Sequence, residues 1–437
     1  MDHTRIISVH AREILDSRGN PTVEAEIGLE NGISARASVP SGASTGKYEA
    51  YEMRDEGATR YYGRGVVNAV EHVKGEIAEA ICGISALDQK KIDSLMCSID
   101  GTPQKEVLGA NAILSVSFAV AKAAAASQKK PLWQYLGGGE QKRMPAPMMN
   151  IINGGAHAKN GLDIQEFMIV PLGAPSFREG LRIGTEIFHT LGKLLHEHGY
   201  SVGVGDEGGY APELDEPEEA LKWIVEAVEK AGYSTDTVKV ALDVAASEWV
   251  KGRAYYMPKS KRHLTREELT EMLAELATHY PVLSIEDPLG EDDIEGFSYI
   301  TSLLGRDRLI VGDDLFVTNP ERLRMGMECG AGNTILIKPN QIGTVSETLG
   351  VIELAQKNGY RHILSHRSGE TDETFIADLA VATNACLIKT GAPCRGERVA
   401  KYNHLLRIAE QIGKDALYGF EGTDMALGVK HGGKSET

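Results

Sequence analysis

Six successive apolar runs in the second half of the chain end in ionisable residues: Asp243, Glu286-Asp287, Asp313-Asp314, Lys338, His366-Arg367 and Lys389. A lone aspartate after a strand is ordinarily a helix cap. Six such ends in series predict a shared cavity, because parallel barrel strands open their C-terminal ends onto one face. Asp243, Glu286 and Asp313, 43 and 27 residues apart, offer a few hard oxygen ligands. That set suits Mg²⁺ better than Ca²⁺. Asp287 and Asp314 are read as the poorer ligands, since alternation along a strand turns adjacent side chains to opposite faces. Lysine is an odd neighbour for a metal unless it moves protons. Nearby cations, the metal and Lys389, would lower its pKa, so Lys338 reads as a general base. The alternative for Lys338 is a salt bridge to the carboxylates.

The elements that must position these residues follow from the same runs. MMNII, EFMIVP, KVALDVA, VLSIEDP, LIVGDDL, TILIKPN, HILSHRS and CLIKTG alternate, from the third onward, with helix-like sequence such as REELTEMLAELATHY. This predicts an α/β chain with a TIM-type β/α barrel. A short Gly/Asn/Asp-rich loop without a helix joins the first two runs, which makes an antiparallel opening hairpin. Upstream, residues 5–39 hold RIISVHA, TVEAEIGLE and ISARASVP, separated by Gly19-Asn20-Pro21 and Asn31-Gly32. Helical patterns follow near 66–80, 88–98 and 109–127, and strands before helices suggest a compact α+β unit. The expected organisation is an N-terminal α+β capping domain over 1–138, a barrel over 139–420, and a polar tail over 421–437.

Two glycine-rich segments imitate nucleotide sites. Gly203-Val204-Gly205-Asp206-Glu207-Gly208 fits GxGxxG, but Asp206 and Glu207 stand where a pyrophosphate needs amides, and the next helix starts only near Pro217. The stretch from Pro40 to Lys47 is one residue short of a P-loop between its glycines, with Tyr48 where Ser or Thr belongs. Both are rejected. The loop hydroxyls remain able to reach a metal or phosphate.

The 437 residues carry 62 acidic and 46 basic side chains, a net charge of −16. Such a chain repels phosphate backbones and anionic lipid, so no nucleic-acid partner and no membrane insertion are expected. An anionic substrate would need a local positive field, which metal ions can supply. Five cysteines without CxxC spacing read as reduced thiols. The N-terminus lacks a signal-peptide pattern. The apolar segment Ala110 to Ala126, interrupted by Asn111, Ser115, Ser117 and Lys122, reads as a buried helix.

Taken together, EILDSRGNPTVE, VPSGASTG, LGANAILSVS, NGGAHA, DIQEFMIVPLGA, GDEGGYAP, SIEDPL, GDDLFVTN, LIKPNQIGT, SHRSGET and IKTGAPCRGER closely resemble the enolases over nearly the whole chain. The resemblance implies a cytoplasmic hydro-lyase that interconverts 2-phosphoglycerate and phosphoenolpyruvate, a small phosphorylated substrate, through an aci-carboxylate intermediate. It implies that Asp243, Glu286 and Asp313 bind a first Mg²⁺, and that Ser44 reaches a second that arrives with substrate. Lys338 would be the base at C2 and Glu207 the acid at the C3 hydroxyl, with Glu166 beside it. Lys389 would hold the substrate carboxylate, Arg367 and Ser368 the phosphate. His157 and His366 would close over the ligand. Glu286 and Asp313 would also face the substrate. The glycines around Glu207 would serve to bring its carboxyl close to the ligand. A homodimer or octamer is implied as well. The segment MRDEGATRYYGRGV and the tail after Ile412 depart from the family pattern, away from every site position.

Overall fold

A computed structural model describes residues 3–42, 46–57, 59–139 and 142–423. Ser44 and the tail beyond residue 423 therefore lie outside the described residues. The N-terminal sheet consists of β1 (Ile6–Leu15), β2 (Pro21–Leu29) and β3 (Ser34–Ser38), antiparallel in that order. The expected first run ends at residue 11, but the strand continues to Leu15 because it pairs with β2 along its whole length. Asp16 closes the first turn by accepting the amides of Arg18 and Asn20, each at 2.8 Å. Gly32 turns β2 into β3 with φ of +81°, a conformation that glycine adopts without a steric penalty.

Helix α1 (Ala110–Ser127) packs on β2 and β3. Among the described residues it is the one helix long and apolar enough to cross a membrane, and most of it is buried within the fold. Its alanines and serines let the sheet approach closely, as expected of a core helix. The N-terminal unit leans on the rim of the barrel through the paired backbones of Ser41 and Gly369, the bond from Ala50 N to the Gln341 carbonyl, and Ser117 Oγ, which accepts Val345 N.

Eight strands close the barrel: β4 (Ala146–Asn153), β5 (Glu166–Val170), β6 (Lys239–Asp243), β7 (Val282–Glu286), β8 (Leu309–Gly312), β9 (Thr334–Ile337), β10 (Arg361–Ser365) and β11 (Leu387–Lys389). All eight correspond to the expected runs. The opening pair β4/β5 is antiparallel, and β5 is antiparallel to β6 too, so β5 alone is reversed while the other seven run together. Helices α2 (Phe177–Glu197) and α3 (Pro217–Lys230) form the return from β5 to β6. From there α4 (Arg266–His279), α5 (Ile294–Leu304), α6 (Pro320–Cys329) and α7 (Val345–Lys357) follow β6 to β9 in turn. Side chains of Thr265, Asp293, Asn319 and Thr344 cap them, so several polar residues after strands do serve as caps. Helix α8 (Phe375–Ala382) follows β10 and α9 (Gly396–Ile412) follows β11.

His362 on β10 is buried against Thr383 Oγ1 at 3.1 Å, and burial pushes its pKa down to about 4. The folded state therefore favours the neutral ring. This contribution is complete above the ordinary histidine pKa near 6.5 and is lost as pH falls toward 4. We expect urea stability to drop between pH 7 and 4.5, with about 2–3 kcal/mol of that drop missing in His362→Gln. Equal losses in the two proteins would refute this assignment.

Candidate active site

Strand ends and one reversed strand build the site. Asp243, Glu286 and Lys389 terminate β6, β7 and β11, while Asp313, Lys338 and His366 each follow the last residue of β8, β9 and β10. Glu166 is the first residue of β5. Because β5 runs backwards, its start lies level with the other strands' ends, in register with Asp243 on one side and Asn153 on the other. A cavity of about 300 Å³ gathers His157, Glu166, Glu207, Asp243, Asp313, Lys338, His366, Arg367, Ser368 and Lys389. Glu286 is buried next to it, bonded to Lys389. All described candidates thus meet in one place.

Two ammonium groups organise the carboxylates. Lys389 Nζ donates to Asp243 Oδ2 and to both oxygens of Glu286, each at 2.9 Å, and stands 3.4 Å from Glu166. Lys338 Nζ is ion-paired with Asp313, whose other oxygen accepts Gln341 Nε2 at 3.0 Å. The salt bridge weighed against a base role for Lys338 is therefore present. Burial disfavours the charged amine, but Asp313 outweighs burial and holds Lys338 above the ordinary lysine value.

Eight carboxylates line the cavity against three fixed cations, Lys338, Arg367 and Lys389. That imbalance decides the electrostatics. Burial, then Asp243, pushes Glu286 up to about 8, and burial with Asp313 pushes Asp314 up to about 7. Oxygen donors crowded enough to hold protons near neutral pH fit a hard divalent cation. Asp243, Glu286 and Asp313, which bond Lys389 and Lys338, could hold it. The expectation that Asp287 and Asp314 turn away is corrected. Both line the cavity, and oxygens of Asp287, Asp313 and Asp314 lie within 4.8 Å of one another. Strand alternation fails here because β7 ends at Glu286 and β8 at Gly312. Asp287 has a left-handed φ of +41° and accepts the amides of Asp313 and Asp314 at 3.0 and 2.8 Å.

Across the barrel, His157, Glu166 and Glu207 form a second cluster, with polar atoms within 4.8 Å. The loop carrying Glu207 is held to β4. A Cβ on Gly209 would lie 2.4 Å from Asn153 Oδ1, and Gly208 has φ of +90°. The glycines thus press the loop onto buried asparagines of the barrel, which is how Glu207 reaches the cavity. Asn150 Nδ2 donates to Glu207 Oε2 at 3.3 Å. Burial and the neighbouring Glu207 push Glu166 well above the ordinary carboxyl range. For Glu207 burial acts upward, and cationic His366 and His157 would more than reverse it. Yet burial holds His366 itself at about 4, so above that pH its ring is neutral and its pull on Glu207 fades. The two carboxyls titrate as a coupled pair, with Glu166 the member held up. Glu166 Oε2, His157 Nδ1 and His366 Nε2 are buried without a hydrogen-bond partner among the described residues, the condition of groups that await a ligand.

Several contributors gave no signal in the sequence. Glu49, from the N-terminal unit, clamps Arg367 with bonds of 2.9 and 3.2 Å. Gln165 donates to Asp243 Oδ2 at 3.3 Å, and Gln341 to Asp313. Neutral amides and a loop glutamate are common at surfaces, so only their placement marks them.

Residues 6–136 match the family model described as "Enolase, N-terminal domain", and residues 141–426 match "Enolase, C-terminal TIM barrel domain". The two matches span the sheet-and-helix unit and the barrel with its ring of charged strand ends. The chain belongs to the enolase family.

Proposed function

We propose that this protein is a phosphopyruvate hydratase, a hydro-lyase that converts 2-phospho-D-glycerate reversibly to phosphoenolpyruvate. One observation carries the reading: a single amine, Lys338 after β9, stands four strands around the eight-stranded barrel from the carboxyl pair Glu166 and Glu207. A base on one wall and a pair of coupled carboxyls on the other is what an elimination needs, since a C–H bond and a C–O bond must break on different atoms.

Lys338 removes the C2 proton, and the electron pair is delocalised onto the substrate carboxylate, which Lys389 holds. Glu207, with Glu166 beside it, protonates the departing C3 hydroxyl, because hydroxide is a poor leaving group. Arg367 and Ser368 hold the phosphate, while His157 and His366 close over the ligand. Asp243, Glu286 and Asp313 would hold a first magnesium and Ser44 a second; bound there, the metal would supply positive charge to the substrate carboxylate and offset the Asp313 charge that keeps Lys338 protonated. The excess of carboxylates over cations supports this need. The domain limits 1–138 and 139–420, cytoplasmic location and assembly as a homodimer or octamer belong to the same proposal. Incubation with 2-phosphoglycerate and Mg²⁺ should produce the ultraviolet absorbance of phosphoenolpyruvate; no signal under these conditions sinks the reading.

Metal binding has its own readout. In chelator-treated protein, Mg²⁺ at a hundredfold excess over its Kd should stabilise the fold by about 2.7 kcal/mol. For a chain of this size that raises Tm by about 3 °C. Asp243→Asn should abolish the rise in calorimetry. A native protein indifferent to Mg²⁺ would remove the cofactor from the proposal.

A further inference from the structure

Arg398, on α9, has no exposed surface, and it does not line the cavity. Burying a guanidinium costs several kcal/mol unless its N–H groups are matched. Arg398 matches those of Nη1 and Nη2 with parts of the site, while Nε has no hydrogen-bond partner among the described residues. Nη1 donates to His366 Nδ1 and to the Arg367 carbonyl, both at 2.6 Å. Nη2 donates to the carbonyls of Ser368 at 2.6 Å and Asp206 at 3.3 Å. The ion pair from Nε to Glu397 is looser, at 3.5 Å. One buried side chain thereby joins the loop after β10 to the residue preceding Glu207.

A guanidinium has donors only and keeps its proton at every working pH. The imidazole nitrogen facing it must therefore accept, which leaves the proton of a neutral ring on the other nitrogen. That nitrogen, His366 Nε2, lies 3.4 Å from Glu207 Oε2. We infer that Arg398 is a positioning residue that locks His366 in the Nε2–H tautomer and so aims an N–H at the Glu207 carboxyl. The inference rests on the reading of Glu207 as the proton donor. Asn150 Nδ2 donates to Oε2 at 3.3 Å, and Nε2–H lies 3.4 Å from the same oxygen without bonding it in this structure, so Oε1 is the oxygen left to carry the proton. When Glu207 gives its proton up, the new charge meets one donor already bonded and a second, the His366 N–H, 3.4 Å away.

Two measurements on the full-length, magnesium-loaded protein test this. With ¹⁵N-histidine labelling and the His366 signals assigned by their absence in His366→Gln, the ring should show a protonated Nε2 and a bare Nδ1 at neutral pH. A proton on Nδ1, or on both nitrogens, overturns the inference and needs no folded variant of Arg398. In kinetics, Arg398→Lys should lower kcat about 10- to 100-fold, the range for loss of a partner that orients a site histidine, with little change in KM. The double variant with His366→Gln should be no slower than His366→Gln alone, since both changes remove one function. Multiplying effects, or a lost kcat with the tautomer intact, would reduce Arg398 to a structural staple. If the native enzyme lacked dehydratase activity while His366 held the expected tautomer, the functional reading would fail and the tautomer lock would stand.

Discussion

Lys338→Ala should abolish conversion of 2-phosphoglycerate, with kcat reduced on the order of 10⁴-fold, the upper range for loss of a general base. The proton at C2 adjoins a carboxylate, so its removal adds charge to an anion and cannot proceed without a placed acceptor. Among the described residues lining the cavity, the other lysine is Lys389, which is engaged by Asp243 and Glu286. Alanine removes the amine but leaves Asp313 bonded to Gln341. Mg²⁺ binding by calorimetry should therefore persist, and no ammonium competes for Asp313. Exchange of the C2 proton with deuterated solvent should disappear together with turnover. Breaking a buried ion pair can cost about 3–5 kcal/mol, so circular dichroism with Mg²⁺ present must show an intact fold. Near-normal turnover in this variant would assign the base to another residue.

The placement of Lys338 was legible because it follows an apolar run of strand length, and runs of that kind reveal both barrel strands and their mouth. The same logic gave Asp243, Glu286, Asp313, His366 and Lys389. It could not give Glu166, which begins its strand. A charged residue at the start of a strand reads as the closed end of a barrel, and only the reversal of β5 brings it to the mouth. Family resemblance supplied it, as it supplied Glu207. Alternation gives the wrong facing for Asp287 and Asp314 because they lie one and two residues beyond the strand ends at Glu286 and Gly312, where a rule for strands no longer holds. Glu49 and Arg398 were invisible for another reason. Each acts across a fold-level contact, 318 residues in sequence from Arg367 and 32 from His366 respectively. No local pattern encodes such pairings.

The pKa of Lys338 turns on a contact of the same kind. Counting cations along the sequence weighed Lys389 and a metal but not Asp313, which the structure puts in direct contact with the amine. A contact pair in a buried site outweighs a cation at a greater distance. The same contact gives Asp313 two roles in the proposal, as a metal ligand and as the group that sets the protonation of the base.

Glu207→Gln should separate the two half-reactions. Glutamine keeps the shape of the side chain and its contacts with the glycine loop, but it cannot donate the proton that the C3 hydroxyl needs on leaving. Dehydration should fall about 10³-fold. The base is four strands away and untouched, so C2–H exchange with deuterated solvent should continue, measured by mass spectrometry of recovered 2-phosphoglycerate. Glu166→Gln gives the comparison. Burial and the charge of Glu207 push Glu166 well up; glutamine in its place keeps a neutral neighbour beside Glu207 but removes a carboxyl that can pass it a proton. The expected order of dehydration rates is native, then Glu166→Gln, then Glu207→Gln. A reversed order would make Glu166 the donor and Glu207 its partner, and loss of exchange together with dehydration in Glu207→Gln would mean that acid and base do not act from separate walls.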